Sequence, residues 1–128
     1  NFINVGASTI NYNENIVASF SNFGQNNVDI FAPGYDIYSL MPDNKYDFQS
    51  GTSMAAPALT GVASMVLSYF PRLSAAKLKK IILESGIEID FNVTISGKKN
   101  IPFKSLSKTG KIVNAYNALI LASRSKIK

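Results

Sequence analysis

The sequence predicts an α/β protein in which a layer of strands is covered by helices. Short apolar runs that stop at Pro or Gly fill the first half, and apolar residues at helical spacing fill much of the second. The composition agrees, because 46% hydrophobic and 16% charged residues in a chain of 128 suffice for one domain with a buried core. No apolar run reaches the roughly 18 residues that a membrane-spanning helix needs.

Four strands are predicted in the first half, each from a short apolar run that a turn residue follows. They are Phe2–Ser8, Val28–Gly34, Ile37–Met41 and Tyr46–Gln49. The second run ends in a Pro-Gly pair, which indicates a buried strand that leads into a loop.

The longest predicted helix begins near Ser53 and ends before Pro71. Its apolar residues between Met54 and Phe70 have the spacing of a helix with a broad buried face. Pro57 is placed in the first turn, where its missing N–H group removes only the earliest intrahelical bond.

Two shorter helices are predicted near the end of the chain. Ser74 is expected to cap the first of them and Gly86 to close it, and residues 114–123 predict the second. Residues 87–109 are irregular, polar and rich in lysine. They predict a long surface excursion that contains a strand or a hairpin.

The absence of His and Cys limits the chemistry of this chain. No imidazole can act as a general base or bind a metal, and no disulfide can form. Asp36, Asp43 and Asp47 are scattered among strand ends, so no dense carboxylate loop indicates calcium. The net charge of +5 comes largely from basic residues from Lys98 onward and favours a solvated basic face. Nucleic-acid binding is an alternative that no recognised motif supports.

The segment Gly51-Thr52-Ser53-Met54 places a serine at the start of the long helix. Backbone N–H groups there are unpaired and the helix macrodipole is positive, so an oxyanion beside Ser53 would be stabilised by that residue's own N–H. Gly51 would let a substrate backbone come close. These features favour acyl transfer. A purely structural role, in which Thr52 or Ser53 caps the helix, stays open on the local pattern.

The segment SGTSMAAPALTG resembles the serine motif of the subtilisin-like serine peptidases, the subtilases, and its seven residues GTSMAAP are highly specific. The runs INVGA, ASFSNFG, DIFAPG and GKIVNAYNAL are similar to family segments in order and spacing. The resemblance covers about residues 2–86 and 109–120. It implies that residues 1–128 are the C-terminal part of one subtilisin-like catalytic domain, truncated at its N-terminus. That domain has a mostly parallel sheet with helices packed on both faces, and residues 87–109 would be a surface insertion in it.

The resemblance also implies a function, because the family hydrolyses peptide bonds with an Asp, His and Ser triad in that chain order. Ser53 would be the nucleophile of a serine endopeptidase, and Gly51, Thr52 and Ser53 would bind the substrate and the oxyanion. The Asp, the His and the oxyanion-binding Asn are expected upstream of Asn1, so this chain alone is expected to be inactive. The alternative is a catalytically dead, subtilase-like interaction module.

Further expectations follow from the resemblance. Ala58 stands where the family usually has His, and Phe20 is expected to border the leaving-group side. No cofactor is required, and structural calcium, which is common in the family, has no support in this sequence.

The expected partners are a polypeptide substrate and the missing N-terminal half, with no nucleic acid and no membrane. The isolated chain is expected to dimerise or swap elements, because truncation would expose a sheet edge at Phe2–Ser8 and the apolar face of the long helix. The parent protein is expected to be secreted or in the cell envelope.

Overall fold

The computed structural model describes residues 2–125. Its strands are, in chain order, β1 (Val5–Ser8), β2 (Ile30–Pro33), β3 (Ile37–Met41), β4 (Lys45–Gln49), β5 (Ile87–Glu88), β6 (Asn92–Ile95), β7 (Lys98–Pro102) and β8 (Lys111–Ile112). Its helices are α1 (Thr52–Tyr69), α2 (Ala75–Ser85) and α3 (Ala115–Arg124), with a 3₁₀ turn at Phe103–Ser105. None of these helices is long and apolar enough to cross a bilayer.

The central sheet has the strand order β1-β2-β8-β5. Strands β1, β2 and β8 run parallel, and β5 runs antiparallel to β8. The predicted mostly parallel sheet is therefore confirmed. Strands β3 and β4 form a separate hairpin, and so do β6 and β7.

Alternate residues of β2 point to opposite faces of this sheet. Ile30 and Ala32 are fully buried in one hydrophobic cluster, together with Ala55 of α1 and Ile82 of α2. Phe31 between them is buried in a second cluster. Because side chains alternate along a strand, α1 and α2 lie on the face opposite to Phe31. Helix α3 packs in turn against α1 and α2.

The face that carries Phe31 is covered by the segment that follows β5. Val93, Ile95, Phe103 and Leu106 of this segment are buried in the same cluster as Phe31. The rings of Phe31 and Phe103 lie 5.1 Å apart between centroids. Helices were expected on both faces, and within residues 2–125 a hairpin and a 3₁₀ turn cover this second face.

The expectation of a surface excursion at residues 87–109 is thus wrong for its apolar side chains. The expected hairpin is present as β6 and β7, and its lysines are exposed. Single apolar residues between polar ones, such as Val93 and Ile95, point inward because they alternate along a strand. The many polar residues of 87–109 therefore gave no indication that this segment also contributes to the core.

The outer edge of β1 is partly closed by the segment that follows it. The Ala7 N–H donates to Ser21 Oγ at 2.8 Å, and the Ala18 N–H donates to the Ala7 carbonyl at 3.0 Å. The expectation of an open sheet edge along Phe2–Ser8 is therefore wrong at its C-terminal end. The chain after β1 doubles back and uses the hydrogen-bonding groups that a neighbouring strand would otherwise take.

The predicted helix ends are mostly confirmed. Ser74 caps α2 by accepting the Lys77 N–H at 3.3 Å, and Asn114 caps α3 by accepting the Asn117 N–H at 2.8 Å. The placement of Pro57 is wrong, because α1 begins at Thr52 and Pro57 is its sixth residue, in the second turn.

Candidate active site

The turn from Gly51 to Ser53 joins the β3–β4 hairpin to α1. Gly51 is the N-cap residue of α1, with extended backbone and no side-chain hydrogen bond to the cap. The alternative in which Thr52 or Ser53 caps the helix is therefore wrong. Both residues lie inside the first helical turn, and neither hydroxyl is used to hold it.

The backbone hydrogen bonds of this turn do not use the N–H group of Ser53. The Gly51 carbonyl accepts the N–H groups of Met54 at 3.0 Å and Ala55 at 3.3 Å. The N–H groups of Thr52 and Ser53 have no acceptor among residues 2–125. They lie at the positive end of the helix macrodipole, which favours an anion.

The Ser53 side chain is exposed to solvent. Its Oγ has no hydrogen-bond partner among the residues that the structure describes. Pro57 follows four positions later and has no N–H, so the Ser53 carbonyl also lacks its usual intrahelical donor. The peptide group and the hydroxyl of this serine are thus less constrained than those of an ordinary helical residue.

Gly34 holds the turn against the sheet. The Gly51 N–H donates to the Gly34 carbonyl at 2.8 Å, and the Gly34 N–H donates to the Ser8 carbonyl at 3.0 Å. A Cβ atom at Gly34 would lie 2.7 Å from the Gly51 oxygen, 2.8 Å from Ala7 Cβ and 3.0 Å from Ala55 Cβ. Only glycine fits there without displacing the turn. The site therefore sits at the carboxyl ends of β1 and β2, where parallel α/β sheets usually place their sites.

The residue before Gly51 closes the base of the hairpin. Ser50 Oγ accepts the Asp36 N–H at 2.9 Å. Asp36 has a φ of 51°, in the left-handed region that Asp tolerates better than most residues. Ser50 and Asp36 together fix the direction in which the chain enters the serine turn.

Phe20 stacks on Tyr35, with ring centroids 6.3 Å apart and planes inclined by 13°. Tyr35 directly follows Gly34, so the two rings lie near the serine turn. The expectation that Phe20 borders the leaving group stays a prediction. Ala58 lies on α1, half-buried, five residues after Ser53.

No side chain among residues 2–125 forms a hydrogen bond with Ser53 Oγ. The chain contains no histidine. Within residues 2–125, no group of three or more carboxylates lies close enough together to hold a metal ion.

Sequence reasoning identified Gly51, Thr52 and Ser53, and the structure brings them together in one turn. It missed Gly34 and Ser50 as residues that position this turn. The Pro-Gly pair at the end of β2 was visible as a strand end. Its contact with Gly51 depends on a hydrogen bond between distant segments, which no local pattern reveals.

Comparison with known proteins places this geometry in a family. A sequence model of the subtilase family matches residues 1–111. Subtilisin-like protease 2 of Plasmodium falciparum is 50% identical over 110 residues, which cover 81% of this chain and 7% of that protein. Subtilisin DY of Bacillus licheniformis is 43% identical over 77 residues, which cover 60% of this chain and 27% of that protein.

Solved structures of subtilase-family proteins match this fold as well. The A subunit of the AB5 toxin from E. coli matches with a TM-score of 0.75 at 31% identity, over 95% of this chain and 38% of that one. A chain from a structural study of subtilase cytotoxin SubAB assembly matches with a TM-score of 0.72 at 31% identity, over 95% of this chain and 37% of that one. The chain thus spans well under half the length of the proteins it resembles. The family match over most of its length shows that the chain belongs to the subtilase family.

Proposed function

We propose that this chain supplies the nucleophile of a serine endopeptidase and that Ser53 is that nucleophile. One observation carries the proposal: Ser53 is exposed in the first turn of α1, with its hydroxyl and its backbone N–H both without partners among residues 2–125. A hydroxyl and an N–H on one residue can serve the attack on a carbonyl and the stabilisation of the resulting oxyanion.

The reaction would use these groups in sequence. Ser53 Oγ attacks the scissile carbonyl carbon, and its proton passes to a base. The carbonyl oxygen becomes an oxyanion and accepts a hydrogen bond from the Ser53 N–H. The C–N bond then breaks, the amine leaves with the proton, and an acyl ester stays on Ser53 until water hydrolyses it. Gly51 and Thr52 flank the bound peptide, and Gly51 keeps its path free of side-chain atoms.

The base and its orienting carboxylate belong to sequence upstream of this chain. A serine hydroxyl is a weak nucleophile until a neighbouring base accepts its proton. The chain has no histidine. We therefore propose that the 128 residues alone are inactive and that the upstream part of the domain completes the site.

A fluorophosphonate probe tests both parts of this proposal, because it esterifies an activated serine. We expect no rapid labelling of the isolated chain and rapid labelling of the parent protein. The substitution Ser53→Ala should abolish labelling of the parent. Ser68→Ala removes another exposed serine of α1 and should leave labelling unchanged. Rapid labelling of the isolated chain would show that it is complete by itself, and an unlabelled parent would favour a dead interaction module.

We further propose that the upstream part packs against the outward side of α1. The middle of this side carries small, exposed residues, among them Thr60, Gly61 and Ser64. A Cβ atom on Gly61 would meet no atom within 4 Å. Small residues let another backbone approach closely, so this side suits a buried contact better than a solvent face. Without that contact the isolated chain should dimerise or swap elements. Light scattering that found a stable monomer at high concentration would contradict this.

A further inference from the structure

The β3–β4 hairpin carries four large apolar side chains on one face. Its register pairs Tyr38 with Phe48 and Leu40 with Tyr46. Directly opposed residues of an antiparallel pair share a face, and residues two apart along a strand share it too. The rings agree, because Tyr38 lies 5.0 Å from Phe48 and 5.8 Å from Tyr46 between centroids. We call these four residues the aromatic face.

The described residues do not cover the aromatic face. Its side chains are between 59% and 71% exposed, and none belongs to the three hydrophobic clusters of the fold. The turn at the tip has positive φ at Asp43 (62°) and Asn44 (55°), as in the tight turns that suit a hairpin. The face is thus preformed. Exposed apolar patches with a polar rim usually mark interaction sites.

The hairpin is acidic in a basic chain. Three aspartates and one lysine lie between Tyr35 and Ser50, which gives this segment a net charge of −2 while the whole chain carries +5. Asp36 lies at the base of the aromatic face and Asp43 at its tip. Tyrosine and phenylalanine rings attract cations through their faces, and carboxylates at both ends add to this attraction. The chemistry fits Arg or Lys side chains next to large apolar ones.

The aromatic face begins close to the serine turn. Strand β4 ends at Gln49, and each of the next two residues forms a hydrogen bond. Ser50 Oγ accepts the Asp36 N–H, and the Gly51 N–H donates to the Gly34 carbonyl. The hairpin base and the turn that carries Ser53 are therefore one connected structure. A long polypeptide held at Ser53 would pass within reach of the hairpin.

We propose that the aromatic face binds the polypeptide substrate of the enzyme, at a segment outside the scissile bond that combines Arg or Lys with large apolar residues. This rests on the proposed function of Ser53. The contact would select long substrates that carry such a segment over short ones that lack it.

A binding experiment on the 128-residue chain tests the surface directly. The probe is a fluorescein-labelled peptide of twelve alternating Arg and Leu residues, and the reference peptide alternates Glu and Ser. Long-range charge attraction cannot explain a preference for the first peptide, because the chain as a whole is positive. The variant Tyr38→Thr/Tyr46→Thr/Phe48→Thr keeps strand-favouring residues and should weaken binding about tenfold or more, as loss of an aromatic anchor does. The control Ile10→Thr removes a 91% exposed apolar residue elsewhere.

Equal binding by the triple variant and the wild type would overturn the proposal. So would dimerisation of the wild-type chain that the triple substitution abolishes, because the face would then belong to a second copy. Fluorescence anisotropy and sedimentation on the same samples distinguish these outcomes.

Kinetics on the parent protein test the role in substrate selection. One substrate carries the Arg-Leu segment beside its cleavage site, and the other is a four-residue peptide without it. The triple variant should lose about tenfold in kcat/KM for the long substrate relative to the short one, through KM. If the parent is active and the triple substitution lowers kcat/KM equally for both substrates or not at all, the substrate contact is refuted and the proposed function of Ser53 is not. A parent that cleaves neither substrate would refute the proposed function, and the substrate role with it.

Discussion

Two glycine-to-alanine substitutions should have opposite effects on stability. Gly34 packs between the serine turn and β1, where an added Cβ would lie 2.7 Å from the Gly51 oxygen. Gly61 faces outward from α1, where an added Cβ would meet no atom within 4 Å. Neither glycine has a positive φ, so alanine fits the backbone conformation at both positions. The two substitutions therefore differ in packing rather than in backbone strain.

The expected magnitudes follow from these contacts. Inserting a methyl group into a filled space costs about 1–3 kcal/mol of unfolding free energy. Alanine also lowers the conformational entropy of the unfolded chain, which offsets this cost by about 0.4–1 kcal/mol. Gly34→Ala should therefore destabilise the fold by about 1–2 kcal/mol. Gly61→Ala lies inside a helix and should stabilise the isolated chain by up to about 1 kcal/mol. The two variants should thus differ by about 2–3 kcal/mol, or about 10 °C in melting temperature for a domain of this size.

Thermal and urea unfolding of the isolated chain at equal low concentration measures this difference. The parent protein adds a second readout, because Gly34→Ala should also slow fluorophosphonate labelling of Ser53 by displacing Gly51. If Gly34→Ala were as stable as Gly61→Ala, the close packing at Gly34 would be refuted. A destabilised variant that labelled at the normal rate would refute its role in positioning the turn.

Three further substitutions test other contacts by the same unfolding measurements. Ser21→Ala leaves the buried Ala7 N–H unpaired and should cost about 1–3 kcal/mol, whereas the exposed Ser19→Ala should cost little. Phe103→Ala leaves a cavity in the core on the sheet face opposite the helices and should lower the unfolding free energy by about 3–5 kcal/mol. A loss below about 1 kcal/mol would contradict the conclusion that residues 87–109 contribute to the core. Asn114→Ala removes the cap of α3 and should cost about 1 kcal/mol, and an unchanged melting temperature and helix content would contradict this role.

Local patterns predicted the helices and most strands well. The cap at Ser74, the helix near residues 114–123 and the strands at Ile37–Met41 and Tyr46–Gln49 each depend on neighbours in sequence, so their signals were present in short windows. The start of β1 at Val5 rather than Phe2 is a small shift at an element end, where such patterns are weakest.

The errors share a physical cause, which is that tertiary contacts decided them. The segment at residues 87–109 looked polar, yet its few apolar residues cover Phe31. The edge of β1 looked open, yet Ser21 and Ala18 close it. In both cases the deciding partner is distant in sequence.

The candidate site was predictable as a turn but not as an assembly. Gly51, Thr52 and Ser53 were identified from seven consecutive residues. The contribution of Gly34 required the fold, because a glycine needed for close approach carries no signal that separates it from a glycine needed for a turn.

The hydrogen bonds from Gly51 to Gly34 and from Gly34 to Ser8 have a consequence for how the chain folds. The N-cap of α1 has no side-chain hydrogen bond, so no side chain within the turn fixes its conformation before β1 and β2 pair. Each of these bonds closes a long loop, which costs conformational entropy that only the assembled sheet recovers. The turn should therefore order together with the sheet, and its amides should exchange hydrogen in the same cooperative event as those of β1. A serine turn built in this way cannot be transplanted as a short peptide, because its conformation depends on the sheet beneath it.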